Sequence, residues 1–163
     1  MVTTQPTVAE VRAWLEEIAD PEIPVLSIVD LGILRDIEWS AASGEFVVSI
    51  TPTYSGCPAI EVIADTIRNT LKERGVGKVR LETKLSPPWT TDWLTDDAKA
   101  RLHEYGIAPP AKLIHVREIA PAMACPRCGS GRVELVSRFG SAPCKALYKC
   151  LNCLEPFDAF KQH

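Results

Sequence analysis

The sequence predicts an α+β protein in two units: a small α-β-β-α-β mixed-sheet domain over residues 1–116, and a compact C-terminal β unit over residues 117–163. Three observations predict it. Between residues 7 and 85 the apolar positions switch between helical spacing and strict alternation, in the order helix, strand, strand, helix, strand. Residues 1–116 carry 11 basic and 17 acidic side chains, whereas residues 117–163 carry 7 and 4. Five of the six cysteines fall between Cys125 and Cys153, which leaves Cys57 alone in the first unit. The change of composition places the boundary near Ala120-Pro-Ala-Met-Ala124, a run of small residues and a proline suited to a linker.

Thr7 followed by Glu10 is a capping box, and Val8, Val11, Leu15 and Ile18 give the first helix its apolar stripe before Asp20-Pro21 stops it. Ser27-Ile-Val-Asp-Leu-Gly32 reads as a tight turn. Residues 33–39 and 45–51 alternate as strands, joined by the hairpin Ala41-Ala-Ser-Gly44. A second helix from about Ala59 to Arg74 buries Ile60, Ile63, Ile67 and Leu71 and ends at Gly75. Residues 78–85 then alternate Val79, Leu81 and Thr83 with charged neighbours, as a half-buried strand does. A helix crossing between the second and third strands makes those two parallel.

Ser86-Pro-Pro-Trp-Thr-Thr-Asp-Trp93 is too rich in proline for regular structure; Trp89 and Trp93 either plug an edge of the core or present a docking surface. Thr95 or Asp96 starts a short helix ending at Gly106, and Ala108-Pro-Pro110 closes the unit.

With 46% hydrophobic residues the chain is globular, and a net charge of −3 argues against a general nucleic-acid coat or a polybasic membrane anchor. Its apolar runs, such as residues 46–50, are too short to span a bilayer, and residues 1–7 lack the plan of a secretory signal. A soluble, cytoplasmic protein is expected.

Cys57 stands between Gly56 and Pro58, where a strand hands over to a helix. A thiol there faces the positive end of the helix, which favours the thiolate that attacks electrophiles or binds metal. Thr51, Thr53 and Ser55 are nearby donors for an anion or sulfide. A small cysteine packed under the sheet is the equal alternative. His103, His115 and His163 are scattered, so a Cys/His hydrolase has little support.

Cys125-Pro-Arg-Cys128 and Cys150-Leu-Asn-Cys153 are the strongest motif. Two intervening residues let a tight turn present two sulfurs to one ion, and a unit of this size needs a staple in place of a large core. The second unit is therefore predicted to be a zinc ribbon, with Zn²⁺ as the leading ion; the same ligands also suit rubredoxin-like iron or an iron–sulfur cluster. Disulfides do not suit a reducing compartment. Cys144 is a packed residue, an alternate ligand or a spare thiol. Arg127, Arg132, Arg138, Lys145 and Lys149 give the ribbon a positive face for phosphates or for an acidic protein surface, and Phe139, Tyr148, Phe157 and Phe160 are expected to form its small core.

Asp20-Pro-Glu-Ile-Pro24, Ile28-Val-Asp-Leu-Gly32 and Thr51-Pro-Thr-Tyr-Ser-Gly-Cys-Pro58 resemble, in order, the signature of the MIP18 (DUF59) family, whose members act in iron–sulfur cluster assembly or metal-centre maturation. Ser86-Pro-Pro-Trp-Thr-Thr-Asp-Trp93, Glu104-Tyr-Gly-Ile-Ala-Pro-Pro110, Phe139-Gly-Ser, Cys144-Lys-Ala-Leu-Tyr and Glu155-Pro-Phe-Asp158 extend the likeness to the ribbon-bearing members tied to phenylacetyl-CoA ring 1,2-epoxidation. The resemblance implies an accessory component of a multicomponent monooxygenase, not catalytic by itself. It makes Cys57 a transient iron or cluster ligand and sets Asp20, Glu22, Asp30 and Thr51 around it. The implied partners are the other oxygenase subunits, the flavin and iron–sulfur reductase foremost. A second copy of the chain would be another source of ligands. A scaffold bridging oxygenase and reductase without metal transfer is the alternative function.

Overall fold

The computed structural model describes residues 5–110 and 123–162. The chain forms two compact units, Met1–Trp89 and Thr90–His163. The expected boundary after residue 116 lies outside the described residues.

In the first unit, helix α1 (Val8–Glu16) opens with the expected capping box: the Glu10 N–H donates to the Thr7 hydroxyl, and the Thr7 N–H to the Glu10 carboxylate at 2.8 Å. Its buried face is Val11 and Leu15, with Ile18 just beyond the helix; Val8, expected in the stripe, is exposed on the first turn. Strands β1 (Leu34–Ser40) and β2 (Glu45–Ile50) pair antiparallel, and β2 runs parallel to β3 (Val79–Thr83) after the crossover by α2 (Ala59–Glu73). The sheet order β1-β2-β3 puts β2 in the centre, where nearly all its side chains are buried. Ile63, Ile67 and Leu71 of α2 are buried, as are Phe46, Val48 and Ile50 of β2, and Gly75 ends the helix at φ +82°.

The proline-rich stretch after β3 supplies the last piece of this core. Trp89 is buried, and its indole N–H donates to the Leu31 carbonyl at 2.7 Å, tying the Leu31-Gly32 turn to the end of the unit. Trp89 is thus a plug rather than a docking surface.

The second unit begins with a single 3-10 turn at Thr91–Trp93 and helix α3 (Asp96–Tyr105). Thr95 caps α3, and Gly106 at φ +93° ends it, as the sequence predicts. Beyond Gly106 the chain does not simply close. Ile107–Ala108 forms β4, which joins a four-stranded sheet ordered β4-β7-β6-β5 with β5 (Val133–Ser137), β6 (Lys145–Cys150) and β7 (Pro156–Phe160). Tyr148 and Phe157 stack at 6.0 Å, and Ala108, Cys125, Cys150, Phe157 and Ala159 form the core. Phe160 and Cys144 are buried as well. Phe139 is not part of that core: it follows the edge strand β5 into a loop and is 68% exposed. No helix among the described residues is long and apolar enough to cross a membrane.

The Trp89 bond gives a direct test. Trp89→Phe keeps an aromatic plug but leaves the Leu31 carbonyl without its donor, so urea unfolding should show a loss of about 2 kcal/mol.

Candidate functional site

Cys57 sits one residue before Pro58, the N-cap of α2. Proline suits this place because its φ of −69° is already helical and no N–H is needed there. The turn into the helix is closed by the Cys57 N–H to the Tyr54 carbonyl at 3.1 Å, and the Ile60 N–H reaches the Cys57 carbonyl at 3.3 Å. The thiol is half-buried.

Its electrostatics oppose the expectation of an activated thiolate. Burial pushes the Cys57 thiol above the ordinary thiol range, and the carboxylates of Glu22 and Asp20 push the same way. The Ala59 N–H at the start of α2 and the Tyr54 side chain favour the thiolate by hydrogen bonding, and they lose. The helix terminus acts on the sulfur as foreseen; two carboxylates from another loop and partial removal from water outweigh it.

The carboxylates of Glu22 and Asp20 are thus near enough to act electrostatically on Cys57. Asp20 also has a structural duty: buried, its Oδ1 accepts the N–H groups of Glu22 and Ile23 at 2.9 and 2.8 Å, which fixes the Pro21 turn and sets Glu22 beside it. Asp30 accepts the Ser27 N–H at 2.8 Å while the Ser27 hydroxyl accepts the Asp30 N–H at 3.1 Å, so this pair holds its own turn. Thr51 is buried at the end of β2, its N–H on the Ile33 carbonyl at 2.8 Å. Tyr54 is a site residue that sequence reasoning misses; its place three residues before Cys57 in the same motif is the available signal.

The second site is in the ribbon. The sulfurs of Cys125, Cys128, Cys150 and Cys153 all lie within 4.8 Å of one another. Cys125 and Cys153 are 3.7 Å apart, and Cys128 and Cys150 3.6 Å. A tetrahedral ion with metal–sulfur bonds of about 2.3 Å sets its sulfurs roughly 3.8 Å apart, so the set fits one ion. An iron–sulfur cluster would spread sulfurs on different irons further than this. Zn²⁺ and mononuclear iron fit the same tetrahedron.

Local backbone builds each half. The Gly129 N–H returns to the Cys125 carbonyl at 2.8 Å, and the N–H groups of Asn152 and Cys153 both donate to the Cys150 sulfur at 3.4 Å. Those donors, Cys153 first, hold Cys150 below the ordinary thiol range, while burial and the neighbouring sulfurs push Cys153 above it. The residue after each pair is left-handed: Gly129 at φ +71° and Leu154 at φ +65°. Glycine takes that conformation freely and leucine does not. Cys144 is buried and lies outside the four-sulfur set.

Comparison with known proteins gives both units a family. Residues 8–81 match the family described as iron–sulfur cluster assembly protein, and residues 110–161 match the PaaD zinc beta ribbon domain. The chain is 50% identical over 157 residues, 96% of its own length and 93% of the relative's, to an Escherichia coli protein described as one subunit of a "Putative 1,2-phenylacetyl-CoA epoxidase". It is 30% identical, over 59% of its length and 90% of the relative's, to an Fe-S protein maturation auxiliary factor of Porphyromonas gingivalis. Of solved structures, a DUF59 domain from Bacillus anthracis overlaps 58% of this chain and 90% of its own, with 27% identity and a TM-score of 0.53.

Two measurements test this geometry. Iodoacetamide should alkylate Cys57 more slowly than free cysteine near neutral pH, and the rate should keep climbing with pH after that of free cysteine has levelled. Leu154→Gly should stabilise the metal-loaded protein by about 0.5–1 kcal/mol in urea, since relief of the left-handed strain exceeds the added chain entropy.

Proposed function

The chain belongs to the iron–sulfur cluster assembly family, in the branch that carries a PaaD zinc ribbon, and from that membership we propose that it is a cytoplasmic accessory subunit of a phenylacetyl-CoA epoxidase system in phenylacetate catabolism, maturing a metal centre in its oxygenase or reductase. The observation that carries this reading is the half-buried Cys57 thiol at the mouth of α2, with the carboxylates of Glu22 and Asp20 near enough to act on it electrostatically.

The surroundings suit a carrier. The two carboxylates and partial burial disfavour a bare thiolate, so the empty site rests as the thiol. When iron or a cluster arrives as cargo, the sulfur–hydrogen bond gives way to a sulfur–iron bond and the proton leaves to solvent. The same carboxylates then face positive charge and stabilise what they previously opposed. One protein thiolate holds metal far less firmly than four, and a client that brings more ligands takes the cargo by completing its coordination. The ribbon does the reverse: its four sulfurs hold a structural ion, assigned as Zn²⁺, that is not passed on.

The client is assigned as the flavin and iron–sulfur reductase of the epoxidase system. The experiment is anaerobic reconstitution with ferrous iron and sulfide, with metal analysis and Mössbauer spectra of wild type and Cys57→Ser, together with the cluster content of the reductase matured in cells carrying each form. Cys57→Ser should keep the fold and one ribbon ion per chain, lose the labile iron, and lower reductase cluster content several-fold. Unchanged cluster content would remove the maturation role and leave a scaffold subunit.

A further inference from the structure

Strand β5 is the outer strand of the ribbon sheet, so one row of its N–H and C=O groups has no strand partner among the described residues. Natural sheets blunt such edges with charges, proline, short strands or bulges, because an open apolar edge pairs with other chains; β5 has the bulge but keeps its apolar residues exposed. Here the edge carries Leu135 and Val136, 46% and 56% exposed, at a bulge opposite β6 that displaces Val136 from the paired register. The strand leads into Phe139, 68% exposed.

The loop bearing Phe139 is fixed. The Gly140 N–H donates to the Lys145 carbonyl at 2.9 Å, and the Ser141 N–H and hydroxyl both bond the Asp158 carboxylate, which the buried Lys145 ammonium approaches to 3.8 Å. A Cβ at Gly140 would run into that same carboxylate. The Lys161 ammonium sits 4.4 Å from the centre of the Phe139 ring and donates to the Pro143 carbonyl at 2.7 Å. An aromatic side chain held outward by a rigid loop costs little entropy to engage, the property of a binding anchor.

Charge identifies the occupant. Arg132 and Arg138 bracket the strand, both exposed and without an ion pair among the described residues. The one acid on the strand, Glu134, lies in register with Lys149 of β6. We propose that the β5 edge and Phe139 dock an extended segment of a partner protein, apolar in its middle and acidic at both ends, added as a further strand. A polynucleotide fits less well, because the middle of the edge offers Leu135, Val136 and an acid where phosphates would lie. The proposal rests on the accessory-subunit reading only in taking the partner to be a protein of the complex, and it uses nothing of Cys57.

The test titrates the full-length, metal-loaded chain with a fluorescent peptide, Asp-Glu-Val-Phe-Val-Glu-Asp, beside a version with lysine in place of the acids and beside oligo-dT. The acidic peptide should bind saturably, weaken with salt and slow amide exchange in β5. Phe139→Ala should lower affinity about tenfold, and Arg132→Glu with Arg138→Glu should transfer preference to the lysine peptide. Metal content and circular dichroism confirm that these surface variants are folded. Absence of saturable binding, equal binding of the two peptides, preference for oligo-dT, indifference to the variants, or self-association that protects β5 would each overturn the proposal. Cys57→Ser is carried in parallel: peptide binding that survives while reductase maturation falls, or the reverse, shows which of the two readings has failed.

Discussion

Four sulfur atoms held within bonding range of one ion are the constraint on which the C-terminal unit depends. Its strands are short, and few of its large side chains are buried. Two of the five residues in its core cluster, Cys125 and Cys150, belong to the four-sulfur set, so an ion held there would be part of the packing as well. The turns that carry the sulfurs also end or begin strands: Cys150 closes β6, and its N–H meets the Glu155 carbonyl just before β7. Loss of the ion would therefore release the strand order as well as the site.

The N-terminal unit solves the opposite problem. Aliphatic side chains on α1, α2 and β2 give it an ordinary core without metal, and that independence lets it keep one sulfur uncommitted. The sulfur is placed by a strand-to-helix turn whose geometry Gly56, Pro58 and the Tyr54 carbonyl impose, and its charge state by a second loop that Asp20 folds. At Asp20 the carboxylate that closes the turn also acts electrostatically on the thiol.

Most of this was legible in the chain because the signals were local. The capping box at Thr7 and Glu10, the Thr95 and Gly106 ends of α3, and the two cysteine pairs each lie within a few residues of what they determine. What escaped was set by partners distant in sequence. Ile107–Ala108 is too short to show any period, and only its pairing with β7 makes it a strand. Phe139 has the residue type of a core position, but the Asp158 carboxylate that fixes its loop comes from the far side of β6. For Cys57 the helix terminus is adjacent in sequence and legible, whereas the burial that outweighs it is set by the fold, and Asp20 and Glu22 were brought in only by the resemblance.

The two sites differ in the number of sulfurs they bring together, and that number separates the roles proposed for them. Each thiolate that binds an ion must first give up its proton, and each further sulfur already held in place adds binding without a new loss of translational freedom. In the ribbon, backbone N–H groups on Cys150 lower the first cost and the paired turns remove the second. At Cys57 burial raises the first cost, with Glu22 and Asp20 pushing the same way, and among the described residues Cys57 belongs to no group of three or more metal-ligating side chains. The four-sulfur set is preorganised for an ion and the lone Cys57 thiol is not, and an exchangeable cargo, the role proposed for Cys57, requires the second arrangement.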